Sequence, residues 1–415
     1  MARFVDVVVI GAGQAGLAIS HCLSAEGVEH VVLEKGGIAS RWRTERWASL
    51  RLLTPNWMTR LPGFEYDGAN PNGYMMKDEL VGYLGRYARS FHAPVQEYTH
   101  VSSVKRDGNG FVVTANETLL RTRAVVVATG ACDRPNVPDW ASKLPRRIAQ
   151  ITTETYNHPG DIAPGGVLVI GGSATGIQLA EELLRSGHEV TLATGSHVPL
   201  PRDYRGRDIM EWMDAAGILS EARDTSIPNA RALSQPSLQL VGSASRRNID
   251  FGTLNALGGQ IVGRAIGISG GYIGLSGTLE AEIARGIDRR DRLLSRLDAF
   301  IGETAPEAFY TTPAATNFVP LSDPRTLNLQ DAGIRSVLWA TGFKRDYSWL
   351  HVDVLDAQGE LDQSGGVCSV PGLYAMGLPF MRRRNSTFID GVAADAHDLT
   401  QHICTHLGHA SRVAA

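Results

Sequence analysis

Gly11, Gly13 and Gly16 lie within VVVIGAGQAG, directly behind an apolar run, and Glu34 closes the next apolar run, HVVLE. Glycines at this spacing let a strand turn sharply, bring backbone close to a pyrophosphate and pack a helix against the strand. The helix start then offers free N–H groups and roughly half a positive charge to the phosphates. An acid at the end of the second strand accepts hydrogen bonds from ribose hydroxyls. Gln14, Ala15 and Lys35 flank these residues and join the candidate contacts.

A second turn of the same kind begins at Gly171, with Ser173, Thr175 and Gly176 inside VLVIGGSATG. Thr194 stands at the offset that Glu34 occupies in the first copy. A carboxylate there would repel a 2′-phosphate, and Ser196, His197 and Arg202 follow within reach of one. The chain therefore holds two dinucleotides and treats their ribose ends differently, the second site preferring NADPH. That is the layout of a flavoprotein reduced by NADPH. The glycine-rich GISGGYIGLSG (267–277) lacks the spacing and the following helix, and reads as a hairpin.

The elements around these turns follow from periodicity and punctuation. Residues 4–10 form a strand, 14–26 a helix stopped by Gly27, and 30–34 a strand. The stretch 36–75 is irregular and rich in Trp, Arg and Pro; 78–91 returns to helical spacing with Asp78 as N-cap. Short strands near 101–105, 111–114 and 124–128 end in Ala128-Thr129-Gly130. The second strand–turn–helix spans 166–187, and 221–281 reads as strands and loops. VLWATG (337–342) is a buried strand carrying a second ATG, with Thr341 and Gly342. GLYAMGL (372–378) is another strand, and a final helix near 391–407 places Val392, Leu399, Ile403 and Leu407 on one face. The expected fold is α/β, with two Rossmann-like three-layer domains. A discontinuous first domain (1–160 and 315–415) receives an inserted second domain (161–314).

Composition bounds the rest. A chain of 415 residues, 43% hydrophobic, buries two cores, and a net charge of −3 gives no reason to expect nucleic acid or an anionic membrane. No apolar run approaches a membrane span, and the strand at the N-terminus leaves no room for a signal peptide, so the cytoplasm is the expected location. The cysteines (Cys22, Cys132, Cys368, Cys404) form no close pair, which argues against a zinc site or a redox dithiol, and they read as small core residues; no metal ligand set is expected. His92, His158 and His351 are isolated and read as structural.

The ordered set GAGQAGLA, GGIASRWR, LRLLTP, VVVATG, VLVIGGSATG, WATGF and STFIDGVAADA resembles the class B flavin-dependent monooxygenases. The likeness is greatest to the compact bacterial CzcO-like branch and more distant to plant YUCCA enzymes, and it spans about 1–405. It implies FAD on the first unit, NADPH on the second, and O2 with a small organic molecule as substrates. Oxygen would pass to that substrate from a flavin C4a-(hydro)peroxide. Trp42 and Arg43 match the segment along the flavin, Leu50 to Pro55 the stretch past the isoalloxazine, and Trp339 to Phe343 the linker between domains. Relatives often hold an asparagine near C4a; Thr54 or Asn56 stands in for it, with Arg43 as a third catalytic candidate. The helix beginning at Asp390-Gly391 would point its positive end at the flavin pyrimidine. The fingerprint F-x-G-x-x-x-H-S is degraded around Gln150, which makes Baeyer–Villiger chemistry less expected than other oxygenation. Trp42, Trp47 and Trp57 are candidates for a pocket wall or the core. Arg382 to Arg384 read as a solvated loop or an anion site. A flavin reductase or oxidase without a stable peroxyflavin, and a non-catalytic redox sensor, are the alternatives. A second copy of the chain is the oligomeric partner considered.

Overall fold

The computed structural model describes residues 3–223, 238–310, 318–320 and 322–409. Val7, Val8 and Val9 are fully buried, as expected of a parallel strand covered on both faces. Strand Arg3–Ile10 pairs in parallel with His30–Leu33 on one side and Thr118–Val127 on the other. These strands are the centre of a ten-stranded sheet. Thr118–Val127 plays two parts: its first half runs antiparallel to Gly110–Ala115, and its last residues pair in parallel with Leu373–Ala375. The C-terminal quarter of the chain thus returns to the first unit. Helix Gln14–Glu26 is buried along Leu17, Ile19 and Leu23 and packs against the final helix, Val392–Leu407. Each such aliphatic side chain removed from water contributes about 1.5–3 kcal/mol.

A second sheet is wholly parallel, in the order Ala149–Thr152, Ile334–Trp339, Gly166–Ile170, Val190–Ala193, Gln260–Val262. Its first two strands come from outside 161–314, one from each side. The expected boundary at 314/315 itself lies outside the described residues. The glycine-rich run at 267–277 is a hairpin: Ala265–Ser269 and Tyr272–Leu275 pair antiparallel about Gly270 and Gly271, both at positive φ.

Three elements differ from their sequence expectations. Helix Lys77–Ser90 starts before Asp78; Glu79 accepts from the Met76 N–H at 2.7 Å, and Asp78 sits in the first turn rather than at the cap. A short helix, Phe251–Ala256, lies where strands and loops were expected, capped by Asp250 accepting from Thr253 N–H at 2.7 Å. Helix Leu279–Thr304 carries little periodic signal in the sequence, because most of its surface is charged and its buried large apolar residues form only a sparse stripe (Leu279, Ile283, Leu297, Ile301). No described helix is long and apolar enough to cross a membrane.

Candidate functional site: two glycine cradles and the ribbon between them

The first cradle is built by backbone proximity. Gly11 has φ +105°, and a Cβ there would lie 2.6 Å from the Ala128 carbonyl oxygen. A Cβ on Gly16 would lie 1.9 Å from the Gly11 carbonyl oxygen, so helix and strand meet with no room for a side chain. Gly13 is the N-cap of Gln14–Glu26 and supplies no side-chain cap, so the open N–H groups of that turn face the place a phosphate would take. Glu34 braces the turn, accepting from Ala12 N–H at 2.7 Å and Gly36 N–H at 2.9 Å. Gln14 accepts from the Trp42 indole N–H at 3.3 Å, tying the Trp-rich segment to the cradle. Ala15 is buried, while Lys35 and Arg43 are exposed.

The second cradle repeats the design. Gly171 has φ +117° with a would-be Cβ 2.2 Å from the Ala340 carbonyl oxygen, and Gly176 would meet the Gly171 carbonyl oxygen at 1.7 Å. Ser173 takes the N-cap place, and Thr175 is partly exposed one residue into the helix. Each turn is therefore backed by an ATG segment, Ala128-Thr129-Gly130 or Ala340-Thr341-Gly342. The second segment meets the chain a few residues beyond the first. Asn136 N–H donates to Gly342 O at 2.9 Å, Thr341 Oγ1 donates to Asn136 O at 2.6 Å, and Arg134–Pro135 pairs antiparallel with Phe343–Lys344. The Arg46 guanidinium lies over both the Trp42 ring (5.8 Å) and the Phe343 ring (5.5 Å), a cation–π bridge across the same junction. A Cβ on Gly13 would meet nothing within 4 Å, so space lies open at the mouth of the first turn, where the pyrophosphate of a dinucleotide would sit.

At the ribose end of the second cradle the expected cation is wrong. Arg202 is fully buried; it donates to Asp208 at 2.5 Å and to Leu53 O at 2.7 Å, so its charge is spent on a protein carboxylate. His197 is also buried, bound to Gly195 O at 2.8 Å and tilted against the Phe251 ring, and burial holds its pKa below the ordinary value. The cation beside Ser196 is Arg264, whose Nη2 lies 3.3 Å from Ser196 Oγ and which remains about half exposed. Sequence spacing missed it because its proximity depends on sheet order: Gln260–Val262 lies next to Val190–Ala193, bringing Arg264 to the Thr194 end.

The stretch past the first cradle separates the catalytic candidates. Asn56 has both ends of its amide occupied, Oδ1 accepting from Met75 N–H at 2.7 Å and Nδ2 donating to Asn70 O at 2.9 Å. It is a buried brace and not an open donor. Thr54 is partly exposed. Arg60 joins this stretch to the final helix through Asp390 at 2.5 Å. At that helix start the Gly391 position is so tight that a Cβ would lie 1.9 Å from Asn385 O. Arg382, Arg383 and Arg384 are neither a solvated run nor free cations. Arg383 pairs with Asp395 at 2.5 Å, Arg384 with Glu221 at 3.3 Å and Arg382 with Asp398 at 3.6 Å. Gln150 accepts from the Trp339 indole N–H at 3.2 Å. Trp47 is buried in the second unit's core, and Trp57 lies beneath Arg60. A cavity of about 470 Å³ opens between Trp47, Arg51, Gln178 and Ser243.

All four cysteines are free, and burial pushes the Cys22 and Cys368 thiols up to about 12. Such thiols stay protonated at neutral pH and make poor nucleophiles. No group of three His, Cys, Asp or Glu suited to a metal occurs among the described residues.

Comparison with known proteins agrees with this geometry. Residues 8–207 match the family described as pyridine nucleotide-disulphide oxidoreductase. A CzcO-like oxidoreductase of Geobacillus kaustophilus is 32% identical over 409 residues, covering 98% of this chain and 100% of that protein. Indole-3-pyruvate monooxygenase YUCCA1 of rice is 32% identical over 207 residues, 48% of this chain and 50% of the relative. Among solved structures, the flavin-containing monooxygenase of Stenotrophomonas maltophilia superposes with a TM-score of 0.67 at 20% identity, covering 98% and 99% of the two chains. The bacillithiol disulfide reductase Bdr of Bacillus cereus gives 0.62 at 16%, covering 97% and 99%. The fold is thus that of two-dinucleotide flavoproteins, and the class is FAD-dependent oxidoreductase. The chain belongs to the CzcO-like oxidoreductases of the class B flavin monooxygenase group, whose cofactor pair is FAD and NADP(H).

Proposed function

We propose that this protein is an NADPH-consuming monooxygenase that places one oxygen atom from O2 on a small organic nucleophile. The observation that carries the reading is that the second ATG segment and the strand after it pair with Arg134–Asn136, just beyond the first ATG segment, behind two like cradles; in this reading the two dinucleotides face one another. In this reading Gly11, Gly13, Gln14, Ala15 and Gly16 seat the FAD pyrophosphate and Glu34 its ribose. Lys35, Trp42, Arg43, Thr129 and Gly130 line its course, and the helix end at Gly391 faces its pyrimidine. Gly171, Ser173, Thr175 and Gly176 seat the NADPH pyrophosphate, with Thr341 and Gly342 behind them. Ser196 and Arg264 take the 2′-phosphate, which Thr194 does not repel.

When bound, FAD supplies hydride acceptance and oxygen activation. The chain's own residues bind, orient and keep water out. Thr54, partly exposed on the stretch that Asn56 braces, is the side chain left to face the reacting atoms. The inserted unit, on sheet membership, reaches from about 149 to 339. We place the protein in the cytoplasm and treat a homodimer as its assembly.

A flavin reductase that passes electrons to a disulfide is the second reading, favoured by the shared fold of Bdr. The buried, high-pKa cysteines weigh against thiol chemistry within this chain. The deciding experiment follows NADPH and O2 consumption with candidate amines, sulfides and carbonyl compounds while measuring peroxide release. Substrate-dependent consumption with little peroxide supports oxygenation. Peroxide equal to NADPH for every compound contradicts it.

A further inference from the structure

We propose that Arg202 is a positioning residue that sets the separation of the two cradles. This deepens the reading above and rests on it for the chemical consequence. Leu50–Asn56 is backbone-paired with Gly73–Lys77: Lys77 N–H donates to Leu50 O (3.0 Å), Leu52 N–H to Met75 O (2.9 Å) and Asn56 N–H to Gly73 O (2.9 Å). The second unit reaches this pair with a ribbon of its own, Val198–Pro199 in parallel with Leu238–Gln239.

At one end the ribbon is anchored to the second cradle, where Gln239 Nε2 donates to Gly172 O at 2.5 Å. At the other end it grips the first unit. Arg202 Nη1 donates to Leu53 O at 2.7 Å, its Nη2 binds Asp208, and its guanidinium lies over the Tyr74 ring at 5.1 Å. Tyr74 Oη closes the loop by donating to Asp208 Oδ2 at 2.5 Å. Gly242 presses on the same place, where a Cβ would lie 2.1 Å from Leu52 O. Arg202, Asp208 and Tyr74 are each at least 95% buried, so the network is not screened by solvent.

Arginine suits the task because one planar fork reaches a carbonyl of one unit and a carboxylate of the other at once. A lysine reaches one of the two. Breaking the grip on Leu53 leaves each cradle intact but lets their separation vary. A displacement of about 1 Å from the productive geometry costs on the order of 100-fold in rate.

The test uses the full-length FAD-loaded protein and its Arg202→Lys and Tyr74→Phe variants. Anaerobic flavin reduction by saturating NADPH is expected to slow at least about tenfold in Arg202→Lys, with the NADPH Kd within about threefold of wild type. Amide hydrogen exchange without NADPH is expected to accelerate at Leu52–Asn56 and to stay unchanged at Gly11–Gly16 and Gly171–Gly176. A folded variant with wild-type reduction rate and unchanged exchange at Leu52–Asn56 overturns the proposal. If Arg202→Lys fails to fold, Tyr74→Phe carries the same two measurements, with smaller changes in the same directions supporting it and none overturning it. If NADPH fails to reduce the wild-type flavin, the functional reading falls and hydrogen exchange alone decides whether the clamp exists.

Discussion

A Cβ on Gly16 would lie 1.9 Å from the carbonyl oxygen of Gly11, and Gly176 stands in the same relation to Gly171 at 1.7 Å. Nothing in either turn can move aside, since the obstructing atom is backbone. Gly16→Ala is therefore expected to push the first helix off its strand, at a cost of about 1–3 kcal/mol for the overpacking. FAD content per chain after purification should fall at least severalfold, and full flavin content would contradict the cradle.

Arg264 and Ser196 offer a test of cofactor choice. Removing the cation in Arg264→Ala should raise the KM for NADPH by about tenfold, the worth of one exposed charge-assisted contact, and leave the KM for NADH unchanged. Equal effects on both cofactors would mean that Arg264 does not meet the 2′-phosphate. Arg202, being buried and paired, should not show that asymmetry.

Asn56 and Thr54 separate by the kind of damage they cause. Asn56→Ala strips partners from a buried N–H and a carbonyl, so stability should drop by about 1–3 kcal/mol, seen as a lower Tm. Thr54→Ala should leave Tm nearly unchanged and show its effect in turnover or in peroxide leakage. A catalytic defect in Asn56→Ala at unchanged Tm would reverse the assignment.

Burial holds the pKa of His30 and of His197 below the ordinary 6.5, so both are neutral in the fold and gain protons more readily when unfolded. Their stabilisation is present above pH 6.5 and is lost as pH falls below it toward the folded values. The urea midpoint should therefore drop between pH 7.5 and pH 5.5. His197→Asn should flatten that slope, and an unchanged slope would remove His197 from the account.

The parts of the fold legible in the residues are those that backbone geometry constrains locally. Gly11, Gly16, Gly171 and Gly176 tolerate no substitute, and the helix stop at Gly27 sits in the left-handed region at φ 74°, so spacing alone located both turns. Side-chain roles near the site were less legible, because they depend on what the chain folds against. Arg202 looked free for a phosphate until Asp208 and Leu53 closed around it. Arg264 is brought to Thr194 only by the pairing of two strands 69 residues apart, as Thr191 pairs with Gln260. Helix Leu279–Thr304 shows no clear apolar period because pairs such as Arg292 with Asp288 cover it in charge.

The central claim is that two facing dinucleotides exchange a hydride. Anaerobic titration of the FAD-loaded protein with NADPH tests it most directly. The account predicts that the oxidised flavin band disappears at about one equivalent per bound FAD, one hydride carrying the two electrons that the flavin accepts. A flavin that stays oxidised in excess NADPH, while chemical reductant bleaches it, would contradict the claim.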